Sequence, residues 1–298
     1  MALVNRVLIV GGGIGGLCLA TALRDRGIAV DLVEVKQEWT VYGVGIIQQS
    51  NIVRAMAQLG LLDRYLSAGL PFEEVRITDP AFNLVGLIPG FRLAGPDYPA
   101  NMGLSRLRLH AVLCAAALEK GAAVRLGVIV TALVQDADGV DVTFTDGTAA
   151  RHDLVGGADG LQSTVRGVVF GTDPKPRYSG QVVWRVNLAR RPQVDCLIAT
   201  NSPGINAGLV PLSDDLMYMY LTSEEPEGQR LDPATLHSEM RARMALFTGL
   251  IGKLRAEITD PAAIVLRRID MFFQPGDWFR GRVVLIGDTA HPTTPHLG

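Results

Sequence analysis

The segment Gly11-Gly12-Gly13-Ile14-Gly15-Gly16 sets glycines at the spacing G-x-G-x-x-G, directly after the strand-like run Val7-Leu8-Ile9-Val10 and at the opening of a helical pattern. That is the context in which such a segment binds phosphate. Gly11 permits a tight turn, Gly13 lets the backbone approach a pyrophosphate, and Gly16 lets helix and strand pack closely. The helix start, with Ile14 and Gly15, offers free N–H groups to the anion. Glu34 ends the next strand 18 positions after Gly16. A carboxylate there accepts hydrogen bonds from both ribose hydroxyls of an adenosine and repels a 2′-phosphate, so the site suits FAD or NAD better than NADP. A tight turn without ligand is the bland alternative, and strand, turn, helix, strand and acid in register weigh against it. These residues alone leave FAD and NAD both open.

Two distant segments bear on that choice. Gly157-Ala158-Asp159-Gly160-Leu161-Gln162-Ser163-Thr164-Val165-Arg166 resembles the DG motif of the FAD-dependent aromatic-ring monooxygenases, the flavoprotein hydroxylases of the p-hydroxybenzoate and salicylate hydroxylase type. Gly287-Asp288-Thr289-Ala290-His291-Pro292-Thr293-Thr294-Pro295 resembles their GD motif, and the three motifs occur in that family's order. Gly43-Val44-Gly45-Ile46 followed by Asn51 and Leu59-Gly60 is similar to the family's segment after the ribose acid. Ser105-Arg106, opening a helix with Leu109, is similar to its flavin-contacting arginine. The resemblance spans nearly the whole chain and is vaguest between residues 190 and 260.

The resemblance implies an α/β fold: a Rossmann-type FAD-binding domain (1–71, 101–175 and 281–298) with an inserted α+β substrate domain (72–100 and 176–280). It implies FAD as cofactor, NADPH or NADH as a transient reductant, and O2 and a small aromatic substrate as partners. In that chemistry a flavin C4a-hydroperoxide hydroxylates a phenolic or heteroaromatic ring. Carried over by position, Asp288 hydrogen-bonds the ribityl chain and Gly287 leaves room for the cofactor. Asp159 orients groups near the pyrophosphate and serves transient binding of the nicotinamide, with Arg166 as a nearby cation. Arg106 stabilises the phosphate or ribityl region, and Val130 lies in the strand whose backbone meets the adenine. The loop from Pro292 to Gly298 lies beside the isoalloxazine, with Pro295 close to where oxygen reacts. In that family a cation often follows the ribose acid directly; here Lys36 is the candidate replacement. His291 reads as scaffold, and no catalytic base is assigned. The chain stops at His296-Leu297-Gly298, where family members continue the loop, which reads as a truncation that leaves the flavin site partly open.

Taken singly, each of these residues has an ordinary alternative. Asp159-Gly160 could be a common turn, Asp288 could cap the turn that follows, and Arg106 or Arg166 could be surface cations. Trp184-Arg185 resembles a pocket-facing strand of salicylate-hydroxylase-like members, and a core tryptophan beside a surface arginine reads almost as well. The W-x-W-x-I-P segment of flavin halogenases is absent, and a nicotinamide dehydrogenase would need neither the DG nor the GD motif. A flavin-fold small-molecule binder, an epoxidase and an antibiotic-modifying hydroxylase remain the alternatives.

The elements that must position these residues follow from periodicity and punctuation. Strand, glycine turn, helix and strand run through Arg6–Val10, Leu17–Arg26 and Ala29–Glu34. Helices are expected at Asn51–Leu59, Leu107–Leu118 and near Pro233–Phe247. A small antiparallel meander is expected from Ala123–Leu126, Ile129–Asp136, Val140–Thr145 and Ala149–Val155, with hairpin turns at Asp138-Gly139 and Asp146-Gly147. A strand-rich stretch follows at Gln181–Leu188, Cys196–Thr200, Ile205–Val210 and Met217–Leu221. At 298 residues, 48% hydrophobic and 19% charged, the chain can bury a large core as one big domain or two smaller ones. Its 28 basic and 30 acidic residues give a net charge of −2 without runs of one sign, which argues against a nucleic-acid partner. Cys18, Cys114 and Cys196 lie far apart and read as reduced core residues, and no metal site is expected. The glycine-rich stretch Val7 to Leu23, followed by Arg24, Asp25 and Arg26, does not read as a membrane span, and no secretory signal opens the chain. A cytoplasmic protein is the expectation.

Overall fold

Val7, Leu8, Ile9 and Val10 are apolar without alternation, and a strand can bury such a run only when both of its faces are covered. In the computed structural model, which describes residues 4–171 and 175–294, the strand Arg6–Val10 lies inside a six-stranded sheet. Its order is Phe279–Arg280, Val283–Leu285, Leu154–Gly157, Arg6–Val10, Ala29–Glu34, Ala123–Leu126. All pairings are parallel except that of the edge strand Phe279–Arg280. The first strand pairs on one side with the next strand in sequence and on the other with a strand some 150 residues later. That reversal of strand order is where open α/β sheets bind dinucleotides. The helix Ile14–Arg24 opens three residues before the apolar periodicity begins, since Gly15 and Gly16 have no side chains to show it.

The described residues form two compact units: 4–41, 110–171, 175–177 and 270–294, with the parallel sheet, and 42–109 with 178–269. These cuts differ from the domain limits read from the sequence by giving 42–71 and 101–109 to the second unit and 176–177 and 270–280 to the first. The expected meander keeps three strands, Val130–Gln135, Val140–Phe144 and Ala149–His152. Its outer members are corrected. Ala123–Leu126 pairs with Ala29–Glu34, and the final run divides at Asp153 so that Leu154–Gly157 joins the parallel sheet. Asp153 makes the break by accepting the N–H groups of Asn5 and Arg6 at 2.7 and 2.8 Å.

The second unit holds a seven-stranded sheet ordered Val265–Met271, Arg177–Ala189, Leu216–Glu224, Ile205–Pro211, Leu197–Ser202, Glu74–Thr78, Leu84–Pro89. Alternation assigns its two faces. Trp184, Val186, Leu188, Leu209, Met217, Met219 and Leu221 form a core with Met240, Met244, Phe247, Ile251 and Leu254 of the helical segment after it. Arg185, Asn187, Tyr218 and Tyr220 therefore lie on the opposite face. Among the described residues no helix is long and apolar enough to cross a membrane. Burial pushes all three cysteine thiols up to about 11, which keeps them protonated and unreactive.

Candidate functional site

Gly11 leaves the first strand at φ +112°, a conformation glycine adopts without strain, and donates its N–H to Val33 O at 2.8 Å. A Cβ on Gly11 would stand 2.3 Å from Ala158 O, and one on Gly16 would stand 1.9 Å from Gly11 O. Close backbone packing thus closes both positions to side chains. Gly13 is different: beyond its own chain neighbours, no atom of the described residues lies within 4 Å of where its Cβ would be. It is also the N-cap of the helix Ile14–Arg24 and supplies no side-chain cap. Open space beside uncapped first-turn N–H groups, at the positive end of a helix dipole, fits a pyrophosphate.

Glu34 borders this turn. Its Oε2 accepts the N–H of Gly12 at 2.7 Å and its Oε1 that of Lys36 at 3.2 Å. An ionised carboxylate has roughly four acceptor positions, so capacity remains for sugar hydroxyls. Two residues not singled out in the sequence hold the same turn. Trp39 donates from Nε1 to Gly12 O at 2.9 Å, and His110 Nε2 lies 3.0 Å from that oxygen. Because a carbonyl only accepts, His110 carries a proton on Nε2, and Cys114 lies 3.5 Å from its Nδ1. An aromatic residue in the loop after Glu34 and a histidine four residues after Arg106 were the available signals, and neither reveals its partner. Trp39→Phe, which keeps a ring and loses the N–H, is expected to weaken FAD binding by about ten-fold, the worth of roughly one hydrogen bond. Titrating apoprotein with FAD and following flavin fluorescence reads this, and an unchanged dissociation constant would remove Trp39 from the support of the turn.

Asp159 stands just past the strand Leu154–Gly157. Its Oδ2 accepts the N–H groups of Thr164 and Val165 at 2.7 and 3.0 Å, and its Oδ1 accepts the Ser163 hydroxyl at 2.6 Å. Ser163 in turn accepts the N–H of Arg166 at 2.9 Å, so the pair caps the helix Thr164–Phe170. Arg166, expected as a cation near the nicotinamide's transient site, is only 2% exposed. It donates to Thr289 O and Leu161 O at 2.8 Å each and sits 4.2 Å from the centroid of the Phe272 ring. It therefore ties the DG segment to the GD segment, as does Gly160 N–H to Thr289 Oγ1 at 2.8 Å. Asp288 is exposed and makes no hydrogen bond or ion pair among the described residues. Gly287 before it has φ +55° and open space at its Cβ position. A free carboxylate beside open space suits a polyol chain.

The family model described as FAD binding domain matches residues 5–298. The chain belongs to this family of FAD-dependent aromatic monooxygenases. It is 33% identical over 294 residues to the aurachin C monooxygenase/isomerase of Stigmatella aurantiaca, covering 98% of this chain and 76% of that protein. It is 33% identical over 299 residues to the 2-heptyl-3-hydroxy-4(1H)-quinolone synthase of Pseudomonas aeruginosa, with 98% and 76% covered. The crystal structure of Klebsiella pneumoniae HpxO complexed with FAD and uric acid is similar with a TM-score of 0.87 at 30% identity, over 98% of this chain and 74% of that one. FAD is the cofactor, and the residues of the glycine turn fit it.

Within the first unit the structure gathers Gly11, Gly13, Ile14, Gly15, Gly16 and Glu34 at one end of the parallel sheet. Lys36 is exposed in the loop beyond and donates to Thr40 O at 2.8 Å. Val130 is buried, at the start of a meander strand, and Val128 N–H reaches Glu34 O at 3.1 Å. Arg106 belongs to the second unit, partly buried, where its N–H bonds Val44 O at 3.0 Å. Pro295 and Gly298 lie outside the described residues, as does His296. His291 stacks on Trp278 with ring centroids 4.7 Å apart.

Proposed function

We propose that this monooxygenase hydroxylates a small aromatic or heteroaromatic ring, consuming one NAD(P)H, one proton and one O2 and releasing the hydroxylated ring, NAD(P)+ and water. Supporting this reading is the pairing, in a chain matched by the FAD binding domain family from residue 5 to 298, of an uncapped helix N-terminus over the open face of Gly13 with the carboxylate of Asp288, which is unengaged among the described residues. The names of the relatives, which include a quinolone synthase and a urate hydroxylase, support a ring substrate. When bound, FAD supplies the redox chemistry, taking reducing equivalents from NAD(P)H and activating O2.

The protein's own residues bind and orient. N–H groups of the first helical turn hold the pyrophosphate, Glu34 accepts from the adenosine ribose, and Asp288 accepts from a ribityl hydroxyl with Gly287 leaving room. Trp39 and His110 hold the Gly12 carbonyl and so keep the turn in one shape. Asp159 and Arg166 act one step back, by fixing the DG and GD segments to each other. We assign FAD to the first unit and substrate recognition to the second, in a cytoplasmic setting.

The direct test is the visible absorption spectrum of the purified protein, with the released chromophore identified after denaturation. Released FAD, followed by NAD(P)H consumption stimulated by phenols or hydroxylated heteroaromatics, is the expected result. A colourless protein that takes up no added FAD would sink the reading.

A further inference from the structure

Leu84–Pro89 closes one side of the second unit's seven-stranded sheet, and among the described residues it pairs only with Glu74–Thr78. A strand in that place presents unpaired N–H and C=O groups, which proteins blunt with charges or cover. This strand carries no charged side chain. Leu84, Val85, Leu87 and Ile88 instead stand 53% to 68% exposed, and Phe91 just beyond is 73% exposed. Charges on the adjoining strand and loop are engaged within the protein. Arg76 pairs with Glu74 at 3.0 Å and Asp195 at 2.5 Å, and Arg92 with Glu73 at 3.1 Å.

Alternation decides which backbone groups face out. Gly90 N–H reaches Glu73 O at 2.7 Å, so Ile88 and Gly86, opposite Val75 and Ile77, also bond inward. The N–H and C=O of Leu87 therefore point away from the sheet. Two copies set antiparallel about a two-fold axis at Leu87 exchange both bonds between the two Leu87 backbones, as a symmetric dimer requires. That register puts Ile88 of each copy opposite Gly86 of the other, on one face. Beyond its own chain neighbours, no atom of the described residues lies within 4 Å of the Cβ position of Gly86, so the opposing side chain meets a gap. Pro89 has no N–H, and the register shifts between Ile77 and Thr78, which together keep the pairing short.

We propose that Leu84–Pro89 is a dimerisation edge through which two copies of this chain join their seven-stranded sheets into one. Five exposed apolar side chains at on the order of 100 Å2 each bury about 1,000 Å2 in the pair, the least that a specific interface needs. The edge is already fixed in place, so docking orders little. Asn83 bonds the Asp79 carboxylate through its N–H and Nδ2 at 2.8 and 2.9 Å, and Thr248 and Gly249 donate to Pro80 O at 2.9 and 3.2 Å. A lipid surface fits the edge less well. It would leave the Leu87 backbone groups without partners, and Arg92 is the only cation between Arg76 and Arg106, too few for an anionic membrane. The proposal stands apart from the hydroxylase reading, and its test needs no bound flavin.

Sedimentation of the purified protein over roughly 1 to 100 μM is expected to show the mass doubling. Hydrogen exchange of the peptide covering 84–90 should slow as the dimer forms. Leu87→Glu and Leu87→Lys each set like charges against each other at the axis, and each should weaken the dimer at least ten-fold with FAD affinity unchanged. An equimolar mixture of the two variants should recover it, which requires that both be folded. A wild-type protein that stays monomeric throughout overturns the proposal, as does a dimer that persists in both variants or whose exchange at 84–90 does not slow. A mixture that remains monomeric overturns the register and with it the edge. Monomeric protein that sediments with phosphatidylcholine–phosphatidylglycerol vesicles would give the strand to a lipid surface and equally overturn it.

Discussion

Gly16→Ala is expected to lower the thermal midpoint of the apoprotein by about 2 to 6 °C and to abolish FAD retention, whereas Gly13→Ala leaves that midpoint unchanged and still weakens FAD at least ten-fold. The contrast comes from what each new methyl meets. At Gly16 it would stand 1.9 Å from the carbonyl oxygen of Gly11. That oxygen cannot simply retreat, because Gly11 is pinned by its N–H bond to Val33 O and by the backbone of Ala158, 2.3 Å from its own Cβ position. Overpacking of this kind costs roughly 1 to 3 kcal/mol, at about 2 °C per kcal/mol in a chain of this size. The same shift moves the turn whose N–H groups hold the pyrophosphate. At Gly13 the methyl meets nothing in the protein, so any loss of affinity reports the space a ligand must enter. Thermal scans with and without FAD separate the two cases. A Gly13→Ala protein that binds FAD as tightly as the wild type would remove the pyrophosphate from that space.

How much of this was legible in the sequence depended on how local the cause was. The strands Arg6–Val10 and Ala29–Glu34 form where the apolar runs and the glycine turn require them. The strands on either side of the meander were visible as strands but not as members of the parallel sheet. Their partners, Asp31 to Glu34 for one and Val7 to Val10 for the other, lie about 90 and 150 residues away. Gly45–Gln48 and Asn101–Ser105 are short strands that each contain a glycine and show no alternation to mark them in the sequence. In the folded chain those glycines admit the Tyr218 ring and the Pro211 carbonyl, whose approach no local pattern announces. The candidate site divides in the same way. The glycine turn and Glu34 belong to one contiguous unit of sequence, while Trp39 and His110 converge on Gly12 O from opposite directions. Arg185 reads almost as well as a surface cation from the sequence, and only the pairing of its strand shows it partly buried on the face opposite the core.

Arg166→Lys is expected to destabilise the protein by about 2 to 4 kcal/mol and to weaken FAD binding, although it keeps the charge. Arg166 is buried, and its two terminal nitrogens reach carbonyls from distant parts of the chain, Leu161 O and Thr289 O. A lysine ammonium is a point donor on a flexible stem and cannot span both in the plane that also lies over Phe272. One buried carbonyl is left without its donor, at about 1 to 3 kcal/mol, and the packing over the ring is lost as well. Thr289 follows Asp288 directly, so loosening its carbonyl loosens the carboxylate offered to the cofactor. Stability and affinity should therefore fall together in denaturant unfolding and FAD titration of the same variant. By contrast, Asp288→Asn removes charge from an exposed side chain with no protein partner among the described residues, and should weaken FAD with stability intact. If Arg166→Lys lost stability while holding FAD at wild-type affinity, the junction would be scaffold alone, and Asp288 would not depend on it for its place.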